Sequence, residues 1–311
     1  MPEQPNRKRG TFVAEPEIEN IKNILVVGAG AMGSQIGLVC AMAGYAVAVQ
    51  DISSEMLEKA QKQLAGRMDR NVEKERMTRR EADEALARLT FTTDLEDAAK
   101  DADFVIEAAV EKLDIKRELF RKLDEITPDH TILATNSSTI ESSRVADATD
   151  RPDRVCNMHF FNPALVMKCV EVVRNPGTSD ATIEATVALT EKINKSPVLL
   201  NREIPGFVAN RILHALANEA ISLYENDVAS FKDIDTACRT ALGHPMGPFE
   251  LMDLTGIDIA HDVRMVKYER SGDENDRPKR SIVERYERGD LGRKTGKGWY
   301  TYDEAGKRVS P

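Results

Sequence analysis

Ile24-Leu-Val-Val-Gly28-Ala-Gly30-Ala31-Met32-Gly33-Ser-Gln-Ile-Gly37 is the stretch on which the reading of this chain turns. It reads as a buried strand, a glycine-rich turn and the opening of a helix. Ile24 to Val27 is a continuous apolar run of the kind that parallel sheets bury on both faces, and Ser34 to Gly44 has the small, apolar face of a packed helix. Three glycines at this spacing carry little alone; their context makes them specific. A second apolar run, Tyr45 to Val49, ends in Gln50-Asp51, about twenty residues past the glycines, where a ribose-binding acid is expected.

Each element has a physical task. Gly28 allows the tight turn, Gly30 lets backbone approach a pyrophosphate with no Cβ in the way, and Gly33 lets the helix sit close to the strand. The unpaired N–H groups around Ala31 and Met32, at the positive end of the helix dipole, then face the phosphates. A carboxylate at Asp51 accepts hydrogen bonds from both ribose hydroxyls and repels a 2′-phosphate, which selects NAD over NADP.

With 311 residues the chain exceeds the usual single-core size, so two domains are expected. A formal net charge of −9 argues against a general binder of nucleic acid or anionic membrane. Cys40, Cys156, Cys169 and Cys238 are far apart and share no metal-ligand spacing with histidine, so neither zinc nor a disulfide framework is indicated. No run is long enough to span a bilayer and the first residues lack the apolar core of a signal peptide, so a cytoplasmic protein is expected. Residues 1–19 are polar, with Arg7-Lys-Arg-Gly10 as a basic cluster, and read as a disordered tail.

After Asp51 a long charged region at about 55–89 reads as a helix-turn-helix excursion standing off the sheet, with Lys62, Arg67, Arg70 and Lys74 available to a phosphorylated tail or simply lining a solvated face. Strand-like runs then recur at Leu89–Thr92, Phe104–Val110, Thr131–Thr135, Val155–Phe161, Cys169–Val173 and Pro197–Leu200. Helical segments lie between them, among them Asp114–Glu125, Thr139–Ala148 and Ser179–Lys195. The pattern predicts an α/β fold, a Rossmann-type, mostly parallel sheet. At 203/204 the alternation stops, and Phe207–Asn226, Lys232–Ala241, Pro248–Tyr268 and Ser281–Arg288 read as helices of a smaller all-α C-terminal domain. Arg270 to Arg280 reads as an exposed loop, and the segment from Gly292 to Tyr300 as a turn-rich close.

Open parallel sheets bind ligands beyond the carboxyl ends of their strands. Asn136-Ser137-Ser138-Thr139, His159-Phe-Phe-Asn162-Pro163 and Asn210 fall at such places or at the domain boundary. Dehydrogenation of an alcohol needs a base for the hydroxyl proton, and a histidine with a carboxylate partner suits that task. Of the five histidines only His159 combines a strand end with a nearby carboxylate, Glu171.

Six motifs in order give the chain, from about Ile21 to Tyr302, a resemblance to the L-3-hydroxyacyl-CoA dehydrogenase family: Gly-Ala-Gly-Ala-Met-Gly33, Thr135-Asn-Ser-Ser138, His159-Phe-Phe-Asn-Pro163, Met167-Lys-Cys-Val-Glu171-Val, Pro205-Gly-Phe-Val-Ala-Asn210-Arg and Gly292-Arg-Lys-Thr-Gly-Lys-Gly298. The resemblance implies His159 as catalytic base, Glu171 as its partner, Ser138 on the substrate's 3-oxygen and Asn210 holding the reacting acyl group. It implies Glu111, Lys116, Ser138, Asn162 and Lys294 around NAD, besides the glycine turn and Asp51. It further implies an acyl-CoA substrate, a helical arm meeting coenzyme A through Lys74 and Arg67, and a homodimer. The same residues fit a relative acting on a free hydroxy acid, and, less well, an NAD-binding protein that has lost catalysis.

Overall fold

The computed structural model describes residues 18–309, so residues 1–17 of the expected tail lie outside the described residues. The chain divides into two compact units, one ending at Val208 and one beginning at Ala209.

The first unit is built on an eight-stranded sheet. In chain order its elements are β1 (Asn23–Val27), α1 (Ala31–Met42), β2 (Ala46–Gln50), α2 (Ser54–Glu73), α3 (Arg79–Ala87), β3 (Leu89–Thr92), α4 (Leu95–Ala99), β4 (Phe104–Glu107), α5 (Leu113–Ile126), β5 (Ile132–Thr135), α6 (Ser143–Ala146), β6 (Val155–Phe160), β7 (Cys169–Val173), α7 (Asp180–Lys192) and β8 (Ser196–Leu200). The spatial order is β3-β2-β1-β4-β5-β6-β7-β8. Strands β1 to β6 pair in parallel; β7 runs antiparallel to β6, and β8 pairs in parallel with β7.

Alternation sorts the apolar runs onto two faces. Ile24, Val26, Ile106, Ala134 and Met158 pack with α1 and α7 on one side, whereas Leu25, Val27, Val105 and Leu133 meet Phe120 and Leu123 of α5 on the other. The register places Gln50, Val27, Glu107, Thr135 and Asn157 in one row across β2, β1, β4, β5 and β6. Four of these five are polar and all are buried. That row marks the carboxyl ends of the strands, where a ligand is expected.

Three expectations for this unit are corrected. The excursion at α2 and α3 is a helix-turn-helix, but it does not simply stand off the sheet: Leu64, Met68, Ala82 and Ala85 close a small core against Leu38 of α1. The fourth strand stops at Glu107 because that side chain itself accepts the Ala109 N–H. The stretch Thr139–Ala148 holds only the single turn of α6. There Ser137 Oγ accepts the N–H of Ile140, Asn157 Oδ1 that of Ser142 and Glu203 Oε1 that of Ser143, and these bonds replace the helical ladder. The expectation of a mostly parallel sheet holds, the single antiparallel pair being β6 with β7.

The second unit contains α8 (Ala209–Glu225), α9 (Phe231–Thr240), α10 (Pro248–Thr255), α11 (Ile257–Ser271) and α12 (Arg280–Glu287). Its core joins Ile221, Phe249, Met252, Ile257, Ile282, Trp299 and Tyr300. Two buried carboxylates staple it: Asp253 accepts from the N–H groups of Trp299 and Tyr300 and the hydroxyl of Tyr302, and Asp235 from the N–H groups of Phe249 and Glu250 and the hydroxyl of Tyr300. The expected helix Pro248–Tyr268 is two helices, broken at Gly256, whose φ of +110° is open to glycine. The expected loop after residue 270 contains a 3₁₀ turn, Glu274–Asp276. The unit is also not wholly helical, for β9 (Thr301–Tyr302) and β10 (Arg308–Val309) form a short antiparallel hairpin.

Candidate active site

The glycine turn has the geometry its sequence implies. Gly28 N–H donates to Gln50 O at 2.7 Å with φ at +104°, and a Cβ there would lie 2.6 Å from Ala108 O. A Cβ on Gly33 would lie 1.8 Å from Gly28 O, so this close approach of helix and turn admits no side chain. A Cβ on Gly30 would meet nothing within 4 Å, which leaves open space against the turn. α1 begins at Ala31 with no side-chain cap, and its first N–H groups are unsatisfied within the helix. Asp51 braces the same turn, its two carboxylate oxygens accepting the N–H groups of Ala29 at 2.8 Å and Ser53 at 2.9 Å. An open glycine cradle, a free helix N-terminus and an acid at the end of β2 fit a dinucleotide with unsubstituted ribose hydroxyls.

His159 and Glu171 face one another because β6 and β7 are antiparallel, with His159 directly opposite Glu171 in register. The imidazole Nδ1 lies 2.9 Å from Glu171 Oε2, and the two residues are 6% and 0% exposed. A carboxylate only accepts, so Nδ1 carries a proton, and in the neutral imidazole Nε2 then keeps its lone pair. Glu171 Oε1 accepts the Val208 N–H at 2.9 Å, which holds the carboxylate from its other side. The imidazole is walled by Phe161 and Phe207, with ring centroids at 4.6 and 5.5 Å. Phe207 was not singled out from sequence, although Pro205-Gly-Phe207 signals the turn that delivers it; its φ of +48° is unusual for a bulky residue.

Beside this pair, Asn136 Oδ1 accepts the Phe160 N–H at 2.8 Å and ties the loop after β5 to β6. Ser137 and Ser138 are then separated by their surroundings. Ser137 is buried, donates its hydroxyl to Glu111 and accepts the Ile140 N–H. Ser138 is half-buried, and its hydroxyl has no hydrogen bond among the described residues. Asn157, also missed from sequence, holds the same loop by donating to the carbonyls of Ser137 and Ile140.

Glu111 accepts from Ser137 and from Thr139 Oγ1 and lies 3.3 Å from Lys116 Nζ. Burial opposes its charge, but these contacts outweigh burial and hold its carboxyl below the ordinary range. Lys116, expected around the cofactor, is only 1% exposed, its ammonium lying between Glu107 at 2.5 Å and Glu111. Its contacts therefore run to carboxylates at the ends of the loop. Asn162, two residues past β6, is exposed.

The remaining expected residues have these places. Arg67 lines a cavity of about 380 Å³ with Ala31, Gln35, Lys62 and Arg70, between α1 and α2. Lys74 does not line it; as the C-cap of α2 it lies seven residues on, about 10 Å along the axis. Asn210 opens α8 in the second unit and lines a largely apolar cavity of about 330 Å³ with His214, Leu251 and Arg264. Lys294, in the same unit, pairs with Asp258 at 2.5 Å. Cys40 and Cys156 are buried, and burial pushes both thiols up to about 12, so they act as small apolar side chains.

A family model described as "3-hydroxyacyl-CoA dehydrogenase, NAD binding domain" matches residues 23–204, and one described as "3-hydroxyacyl-CoA dehydrogenase, C-terminal domain" matches residues 206–302. A probable 3-hydroxybutyryl-CoA dehydrogenase of Bacillus subtilis is 41% identical over 284 residues, covering 91% of this chain and 98% of its own. A 3-hydroxybutyryl-CoA dehydrogenase of Bradyrhizobium diazoefficiens is 40% identical, covering 91% and 96%. The crystal structure of (S)-3-hydroxybutyryl-CoA dehydrogenase from Ralstonia eutropha superposes with a TM-score of 0.82 at 38% identity, over 92% of this chain and 100% of that one.

Proposed function

This chain is a member of the 3-hydroxyacyl-CoA dehydrogenase family, and on that premise we propose how its residues divide the reaction. The family's activity is NAD-dependent oxidation of a 3-hydroxyacyl-CoA to the 3-ketoacyl-CoA, reversible with NADH. NAD, when bound, supplies the acceptor for the hydride from C3. His159 Nε2 takes the proton of the 3-hydroxyl, and Glu171 fixes the tautomer and stabilises the imidazolium that results. Ser138 donates a hydrogen bond to the 3-oxygen, and Asn210 helps to hold the acyl group. The observation that carries this reading is the buried Nδ1 contact of 2.9 Å with Glu171, which leaves Nε2 as an acceptor.

The basic side chains beside Arg67, namely Lys62 and Arg70, support a role for α2 in receiving the phosphates of coenzyme A. Exposed Ile212, Leu254, Ile259, Val263 and Val266 on α8, α10 and α11 support self-association of the second unit as a homodimer. Among the described residues no helix is long and apolar enough to cross a membrane.

The test is oxidation of NADH with acetoacetyl-CoA, run beside free acetoacetate. Turnover confined to the thioester is expected, and His159→Gln lowers kcat by about a hundred- to ten-thousand-fold while NADH binding persists. Turnover of the free acid alone moves the substrate to hydroxy acids; unchanged kcat in the variant removes His159 from the mechanism.

A further inference from the structure

We infer that Glu107, which the sequence reading passed over, is the positioning residue for both the cofactor and the substrate side of the first unit. The inference rests on the role proposed above for Ser138 and on the place beside NAD that the resemblance implies for Glu111. Glu107 is the last residue of β4, is 0% exposed, and has three partners: Lys116 Nζ at 2.5 Å, Ala109 N at 2.7 Å and Thr135 Oγ1 at 2.7 Å.

Each partner leads to a different part of the site. The bond to Ala109 fixes the loop after β4, and Ala108 of that loop is the surface on which the Gly28 turn closes. Thr135 donates to Glu107 and accepts the Ser137 N–H at 3.2 Å, which sets the start of the loop presenting Ser138. Lys116 reaches on to Glu111, and Glu111 binds the hydroxyls of Ser137 and Thr139. The bonds thus form a closed ring, from Glu107 through Lys116, Glu111, Ser137 and Thr135 back to Glu107.

Two of the partners, the Lys116 ammonium and the Ala109 N–H, can only donate, and both use Oε1; the Thr135 hydroxyl, which already accepts from Ser137, donates to Oε2. Lys116 also needs a buried counter-charge, because its own side chain is shut off from water. Glu107→Gln is nearly isosteric and keeps an oxygen for Ala109 and Lys116, but it turns an NH₂ group on Thr135, whose hydroxyl must reverse and lose its acceptor, and it removes the charge that pairs Lys116, so the ring is weakened at two points. The cofactor turn and the serine loop then shift together, although neither contains the altered residue.

The experiment titrates NADH by fluorescence and measures KM for acetoacetyl-CoA in the wild type, in Glu107→Gln and in Phe120→Leu. Phe120 is 0% exposed on the α5 face of the sheet and lies in the apolar core, so its variant is a control for lost stability alone. Both are assayed well below their Tm, with folded fraction checked by circular dichroism. Glu107→Gln is expected to weaken NADH binding and raise KM, each by about tenfold, while Phe120→Leu alters neither. The inference is overturned by wild-type constants in Glu107→Gln, by equal losses in Phe120→Leu, or by a change in only one of the two constants. NADH titration does not depend on the substrate. A wild-type enzyme that binds NADH but ignores the thioester therefore refutes the proposed substrate, and with it the substrate half of this inference.

Discussion

Replacing Glu171 with Gln tests the central geometry with the smallest change of shape. In the native pair both carboxylate oxygens are used, Oε2 by His159 and Oε1 by the Val208 N–H. The carboxamide keeps its oxygen on Val208 and so turns its NH₂ toward Nδ1. Nδ1 must then accept, the proton moves to Nε2, and the atom proposed to act as base becomes a donor. The ionic part is separable: opposite charges about 4 Å apart at an effective dielectric of about 20 attract by roughly 4 kcal/mol, which is the stabilisation of the imidazolium at stake. At about 1.4 kcal/mol per factor of ten, kcat should fall by about a thousandfold. The assay is steady-state oxidation of NADH with acetoacetyl-CoA, with NADH affinity measured separately. Affinity should hold, since no contact of the glycine turn is altered. A kcat within about threefold of wild type would refute the reasoning, because it would mean that neither tautomer nor charge at Glu171 matters.

Ser138→Ala should leave Tm unchanged and lower kcat/KM by about a hundredfold through loss of one donor, whereas Ser137→Ala should lower stability by about 1–3 kcal/mol through unsatisfied Glu111 and Ile140, seen as an earlier denaturant midpoint. Asp51→Asn should raise KM for NADH and narrow the preference over NADPH by about tenfold or more, since the 2′-phosphate is no longer repelled while one brace of the turn is lost. Glu111 has its native carboxyl below the ordinary value of 4.5, so its stabilising contribution is complete above that value and disappears as pH falls through the lower native one. Glu111→Gln should therefore make Tm less dependent on pH below about 4.5, and an unaltered acid limb would exclude the residue from it.

The chain's local patterns determined the dinucleotide turn, the strand–helix alternation and the helical second unit, because those signals reside in contiguous residues: glycines at close approaches, apolar runs at strand period, a ribose acid at fixed distance. They also pointed to His159 and Glu171, twelve residues apart. Only the tertiary structure decided that these two face one another, because that depends on β7 reversing against β6 and on the register that follows. That the Ser137 hydroxyl is engaged by Glu111 and Ile140 is likewise visible only in three dimensions. The break at Gly256 and the short α6 escaped the periodicity because backbone conformation and distant side chains such as Asn157 and Glu203 override local helix preference. In the sequence Glu107 fell inside a strand-like run, Phe104–Val110; its role came from three bonds drawn from β5, α5 and the loop after β4, which neither helical nor strand spacing could bring to one carboxylate.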